Sequence, residues 1–168
     1  SGARGISWMP SIAFATGGEQ GRTPTVYVNL LGESRATLAL DSANTVTLEI
    51  GRKPGRPGPK REIAIQVRLA NTPKRFKLMV RVPPYMHNVE YSIGSEPDKP
   101  VKAGWLELER EWAGNDMLVL ALDMAPQTVK GEYEQAGRVA FTYGPMVFVA
   151  EEADGTTTSL AASRPEEI

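Results

Sequence analysis

The chain has 168 residues, 41% hydrophobic and 23% charged, with 16 glycines, 13 prolines, no cysteine and a formal net charge of -1. These values describe a single globular domain, turn-rich as short strands require, and they exclude wholesale disorder. The missing cysteine excludes disulfides, thiolate metal sites and a cysteine nucleophile, the near-zero charge gives no drive toward nucleic acid or an anionic membrane, and no apolar run approaches the roughly 20 residues that cross a bilayer.

The N-terminus lacks the basic region and apolar run of a signal peptide. It begins SGARGIS, as if cut from something longer, which leaves a removed leader open. The absence of cysteine does not fix the compartment; a periplasmic or extracellular location is favoured over a cytoplasmic one. Over residues 7–16, SWMPSIAFAT, Pro10 after a Ser7 cap predicts one or two helical turns through Ile12 and Phe14. GGEQGRTP (17–24) reads as a loop. TVYVNLL (25–31), ATLALD (36–41) and TVTLEI (45–50) alternate apolar and polar residues and read as strands, the last two joined as a hairpin through Ser42, Ala43 and Asn44. GRKPGRPGPK (51–60) is too rich in proline and glycine for regular structure and reads as a hairpin tip; with no interleaved aromatic it is a poor arm for nucleic acid.

REIAIQVRL (61–69) is the cleanest strand, with Ile63, Ile65, Val67 and Leu69 on one face. A one-residue slip would expose all four, so its register is firmly set. After a turn at NTPKR (71–75), FKLMVRV (76–82) turns Phe76, Leu78, Val80 and Val82 inward until Pro83 and Pro84, which cannot donate a ladder hydrogen bond, end it. NVEYSIG (88–94) is a shorter strand and SEPDKP (95–100) a polar turn. GWLELEREW (104–112) places Leu106, Leu108 and Trp112 inward, with Arg110 interrupting, and three glutamates outward. AGND (113–116) predicts a tight turn. MLVLALDM (117–124) is apolar on both faces, as in a central strand covered on both sides. APQTVKGEYEQAG (125–137) is a long connection of no clear structure. RVAFTY (138–143) and PMVFVAE (145–151) are strands divided by Gly144 and Pro145, which predicts a bend or bulge. The tail from Asp154 is polar and small.

The sum is an all-β chain: an antiparallel, jelly-roll-like β-sandwich of about nine or ten short strands, with at most a short N-terminal helical turn. Residues 1–24 form a lead-in, 25–154 the sandwich and 155–168 a loose tail.

The order and spacing of FKLMVRVPPY, GWLELEREWAGND, VLALDM and VAFTYGPMVFVAEEAD resemble the C-terminal β-sandwich of glycoside hydrolase family 127, the β-L-arabinofuranosidase-type enzymes. Pro83-Pro84-Tyr85, Gly104-Trp105-Leu106, Arg110-Glu111-Trp112 and Gly144-Pro145-Met146-Val147-Phe148 stand where that family has Ile-Pro-Ser-Trp, Gly-Tyr-Leu, Arg-x-Trp and Gly-Pro-Leu-Val-Tyr. TVYVNLLGESRATLAL resembles its Tyr-Val-Asn-Leu-Tyr stretch, so the likeness covers residues 7–154. The resemblance implies a zinc-bound cysteine nucleophile with a glutamate ligand, in an (α/α)6 barrel N-terminal to the sandwich. A Cys-Cys-Pro-Pro-Asn-like segment of that family aligns with Ser7–Ala13, putting Ser7 and Trp8 at the cysteine positions. A serine hydroxyl is a poor zinc ligand and an indole has no lone pair to give. No catalytic residue, metal or cofactor is therefore assigned to this chain.

Glu107, Glu109 and Glu111 point one way from one strand, a solvated face rather than the opposed pair a glycosidase needs. Glu151, Glu152 and Asp154 lack the spacing of a calcium loop. His87, the only histidine, reads as a loop residue with no partner for catalysis. Trp105, Tyr85 and Trp8 are candidates for a sugar platform, each also explicable as ordinary burial; Trp112, in phase with Leu106 and Leu108, is assigned to the core. The favoured reading is a non-catalytic sandwich supporting a helical catalytic domain of a parent glycoside hydrolase acting on arabinofuranose-containing carbohydrate, itself inactive in isolation. A carbohydrate-binding module and a self-associating homodimer are the alternatives.

Overall fold

A computed structural model describes residues 11–18, 22–52, 61–71, 73–144 and 146–148. The fold is all-β, and the chain divides into two compact units, Ser1–Met124 and Ala125–Ile168. Ser7, Trp8, residues 53–60 of the Pro/Gly-rich segment, Glu151, Glu152 and Asp154 lie outside the described residues.

The first unit holds ten strands: β1 (Phe14–Gly17), β2 (Thr25–Val28), β3 (Ser34–Ala39), β4 (Thr45–Arg52), β5 (Arg61–Leu69), β6 (Lys74–Val82), β7 (His87–Ile93), β8 (Lys99–Pro100), β9 (Gly104–Trp112) and β10 (Asn115–Asp123). They form a four-stranded sheet, β1-β2-β6-β9, and a six-stranded sheet, β3-β4-β5-β10-β7-β8. Pairing is antiparallel except between β2 and β6, which run parallel. The inner faces share one core. Val26 and Val28, the apolar phase of β6, and Leu106, Leu108 and Trp112 come from the smaller sheet; Val46, Leu48, Ile50, Ile65, Val67, Leu118, Leu120 and Leu122 come from the larger. Period-two alternation selects this set, because one phase of each strand is dry and the other wet. No charged or polar residue is buried among the described residues.

Several strands are longer than their apolar runs suggest. Gly51 and Arg52 continue β4, pairing with Ala64 and Ile63, so regular structure runs two residues into the Pro/Gly-rich segment. Lys74 and Arg75 open β6 opposite Trp112 and Glu111. The β9–β10 turn shrinks to Ala113 and Gly114, the latter at φ 91°, and the Asp116 carboxylate accepts from the Ala113 N–H at 2.7 Å. His87 begins β7 opposite Asp123 rather than sitting in a loop. Beside it the β7–β10 register shifts, and Asn88, at φ 48°, donates to Asp123 Oδ2 at 3.1 Å. Asparagine tolerates that left-handed backbone better than most residues. The polar segment 95–100 ends in the two-residue β8, paired with Glu90 and Tyr91. At the N-terminus Ser11–Ala13 are helical, and Phe14 begins β1 instead of continuing that turn.

The second unit is a three-stranded antiparallel sheet of β11 (Pro126–Lys130), β12 (Val139–Tyr143) and β13 (Met146–Phe148), with a 3-10 turn at Tyr133–Gln135. The stretch 125–137, expected to be an irregular connection, thus contributes a strand; Gln127, Thr128 and Lys130 hide it from a hydropathy reading. Gly144, at φ 59°, lies between Tyr143 and Met146, which pair directly, so β12 and β13 form a hairpin rather than a bent strand.

The β3–β4 hairpin is fastened by Asp41. Its Oδ1 accepts from the backbone N–H of Ala43 and Asn44 at 2.9 and 2.8 Å, and its Oδ2 accepts from Lys74 Nζ at 2.7 Å. Lys74, then the Ala43 N–H and the Asn44 side chain, hold the Asp41 carboxyl far below the usual carboxylate range. A depressed folded-state pKa contributes stability that is complete above the unfolded value of about 3.9 and is lost as pH falls through the folded value. We therefore expect the urea midpoint of the wild type to fall more steeply below about pH 4 than that of Asp41→Asn, which lacks this titration. Parallel acid profiles for the two would remove Asp41 from the account.

Candidate functional site

The outer face of the four-stranded sheet carries the most exposed aromatic surface of the first unit. On β6 the outward residues are Arg75, Lys77, Met79 and Arg81; on β9 they are Glu111, Glu109, Glu107 and Trp105, paired rung by rung in that order. Two ion pairs run diagonally between neighbouring rungs. Arg75 binds Glu109 at 3.0 Å, and Lys77 donates to Glu107. The Lys77 ammonium is held above its usual range, chiefly by that hydrogen bond.

At the other end the chemistry changes. Trp105 is 47% exposed, and its ring meets the Tyr27 ring edge-on, with centroids 5.8 Å apart and planes at 82°. Tyr27 stands on β2, on the far side of β6, so the two rings meet across the intervening strand. Such T-shaped pairs contribute about 0.5–1.5 kcal/mol beyond burial. Gly17 of β1 makes room for the arrangement: a Cβ there would lie 3.1 Å from Tyr27 Cε2.

Beyond β6 the chain turns at Pro83-Pro84-Tyr85, closed by the Met86 N–H donating to the Pro83 carbonyl at 3.1 Å. A shallow cleft of about 320 Å³ opens there, lined by Asn29, Leu31, Arg81, Pro83 and Tyr85 among others. Arg81 belongs both to this cleft and to the ladder rung opposite Trp105. Tyr85 and Trp105, chosen separately from sequence, therefore share Arg81 as a neighbour, the first in the cleft lining and the second across the ladder.

Of the other candidates, Trp112 is fully buried, stacked on Phe76 at 5.2 Å. Glu107 and Glu109 are neutralised along their own sheet face, not opposed across a gap. Among the described residues no three of His, Cys, Asp and Glu gather to hold a metal ion. Tyr27 and Arg81 escaped the sequence reading. Their phase was visible, since Tyr27 alternates with Val26 and Val28, and Arg81 with Val80 and Val82. What was not visible was the parallel pairing of β2 with β6, which sets Tyr27 beside Met79 and within reach of Trp105.

Residues 25–124 match the family model described as Beta-L-arabinofuranosidase, GH127 middle domain. The matched segment ends at Met124, where the first compact unit ends. The model is named for the middle domain, whereas the sequence resemblance pointed to a C-terminal sandwich. Among solved structures, the chain is similar to a GH127 beta-L-arabinofuranosidase from Geobacillus stearothermophilus T6, with a TM-score of 0.65 and 20% identity over 86% of this chain and 22% of that one. A glycoside hydrolase matches with a TM-score of 0.59 and 20% identity, covering 73% of this chain and 20% of that one. A GH127 beta-arabinofuranosidase matches at 0.53 and 24%, covering 73% and 22%. At these identities the likeness is one of fold, and the chain spans about a fifth of the length of these structures. No curated protein matches.

Proposed function

This chain belongs to the GH127 β-L-arabinofuranosidase family, whose middle domain it contains, and on that premise we propose that it is the non-catalytic β-sandwich of a longer glycoside hydrolase acting on arabinofuranose-containing carbohydrate. In this reading it packs on and supports a helical catalytic domain supplied by other parts of the protein. The observation that carries the reading is the family match over residues 25–124, a segment that coincides with most of one compact unit and its shared core. The site chemistry agrees with it. The nucleophile that the family resemblance implies is a zinc-bound cysteine, and this sequence has no cysteine; Glu107 and Glu109 on the aromatic-bearing face are engaged by Lys77 and Arg75.

The test is arabinose release from a β-L-arabinofuranoside by the 168-residue chain and, in parallel, by the longer protein that contains it. The chain alone is expected to release none above buffer while the longer protein turns over. Turnover by the chain alone would overturn the reading.

A second role on the same sandwich, saccharide binding at an aromatic surface, is favoured by the half-exposed Trp105 ring beside the Tyr85 cleft.

A further inference from the structure

We propose that the cleft at the Pro83-Pro84-Tyr85 turn, with Trp105 beside it, binds an acidic saccharide, a uronate-containing oligosaccharide whose carboxylate is held by Arg81. The assignment rests on the saccharide-binding role just given and names its ligand.

The charge pattern of the face singles out Arg81. The outward cations of β6 meet the outward glutamates of β9, and Arg75 and Lys77 are both neutralised there. The outward glutamates of β9 end at Glu107, and the residue opposite Arg81 is Trp105, which carries no charge. The Arg81 side chain is exposed and makes no hydrogen bond or ion pair with any described residue. An unengaged guanidinium presents a planar fork of donors that matches a carboxylate in bidentate geometry. A neutral sugar offers no group of that charge and shape, and a bare anion would make no use of the aromatic surroundings.

The surroundings suit a sugar ring that carries the carboxylate. Tyr85 and Trp105 offer apolar ring surface with a polar handle, the chemistry that covers the C–H face of a pyranose. Asn29 donates its Nδ2 to the Ile12 carbonyl at 2.8 Å, which orients the amide and leaves its Oδ1 to accept a hydroxyl. The cleft is built before any ligand arrives: two prolines fix the turn, and its hydrogen bond closes it, so little ordering entropy is lost on binding. At about 320 Å³ it lies at the small end of ligand sites, the size of one or two sugar residues rather than a buried chain.

The test is calorimetric titration of the chain with three probes: a galacturonate trimer, the same trimer methyl-esterified at its carboxyls, and a neutral arabinan trisaccharide. The acid is expected to bind and the ester to bind at least about tenfold more weakly, the size of effect expected when one charge-assisted hydrogen-bonded pair is lost. Arg81→Gln should lose binding of the acid to the same degree, Arg81→Lys should retain part of it, and Tyr85→Ala should weaken all probes alike. Arg81 is solvent-exposed and unpaired, so the melting temperature of Arg81→Gln should match the wild type, which separates lost binding from lost fold. Equal affinity for acid and ester, no binding of the acid, or an unchanged Arg81→Gln would each overturn the assignment. So would equally tight binding of a glutamate-rich peptide, which would mark the face as a protein contact. Hydrolysis by the longer protein is read separately. A chain that ignores galacturonate while the longer protein cleaves arabinofuranosides sinks this assignment and leaves the family reading intact.

Discussion

Trp112→Ala is expected to destabilise the sandwich by about 3–5 kcal/mol, the range for removing a large buried aromatic. The indole is fully buried, lies near parallel to Phe76 with centroids 5.2 Å apart, and donates its Nε1–H to the Phe76 carbonyl at 3.1 Å. The Arg110 guanidinium sits over its ring at 5.5 Å and reaches on to Glu96 at 2.9 Å. Truncation therefore opens a cavity, removes the ring stack and frees the Arg110 end of an ion pair at once. Small domains are stable by only about 5–15 kcal/mol, so this one change takes a large share of the total. Trp112→Phe separates the contributions. It keeps an aromatic ring against Phe76 and removes the N–H donor, and should cost about 1 kcal/mol for the lost hydrogen bond plus a smaller cavity term. Urea denaturation of the three proteins checks this. A Trp112→Ala midpoint within experimental error of the wild type would mean that the β6–β9 register places another side chain in the core.

How far the fold was legible from sequence depends on which physical signal each element carries. Strands with one dry face announce themselves: β5 and β9 were bounded to the residue by alternation alone, because their inward phases, Ile65 and Val67 in one and Leu106, Leu108 and Trp112 in the other, are core. Strand ends are fixed by ladder hydrogen bonds, which ignore side-chain polarity. Lys74 and Arg75 pair as well as Phe76 does, and no hydropathy pattern reports it. β11 failed for the same reason, since Pro126–Lys130 is exposed along its whole length. The candidate site was half legible. Trp105 and Tyr85 could be chosen as aromatics out of phase with the core, but their common neighbour Arg81 and the Trp105–Tyr27 contact depend on which strands lie side by side. The parallel β2–β6 neighbour is a long-range choice of topology, made by the whole core and not by either strand.

Leu118→Ala, in β10, is expected to cost about 2–5 kcal/mol, and Met117→Ala, one residue away, less than about 0.5 kcal/mol. The sequence 117–124 is apolar throughout and suggested a strand covered on both faces, which would make the two changes comparable. The structure divides them. Leu118, Leu120 and Leu122 are fully buried, with Leu118 opposite Ile65 of β5 and Ile93 of β7, while Met117 is 37% exposed. On the outward phase Met117 lies opposite Gln66, whose amide bonds to Asn115 Oδ1 and the Asp116 carbonyl at 3.1 Å each, a polar neighbourhood in which a thioether gains little. Because side chains alternate with period two, the pair of substitutions reports the register of the central strand directly. A slip of one residue would exchange the two costs, and equal large costs would mean that the outward phase of β10 is buried too, by a partner that this face of the larger sheet takes up in solution.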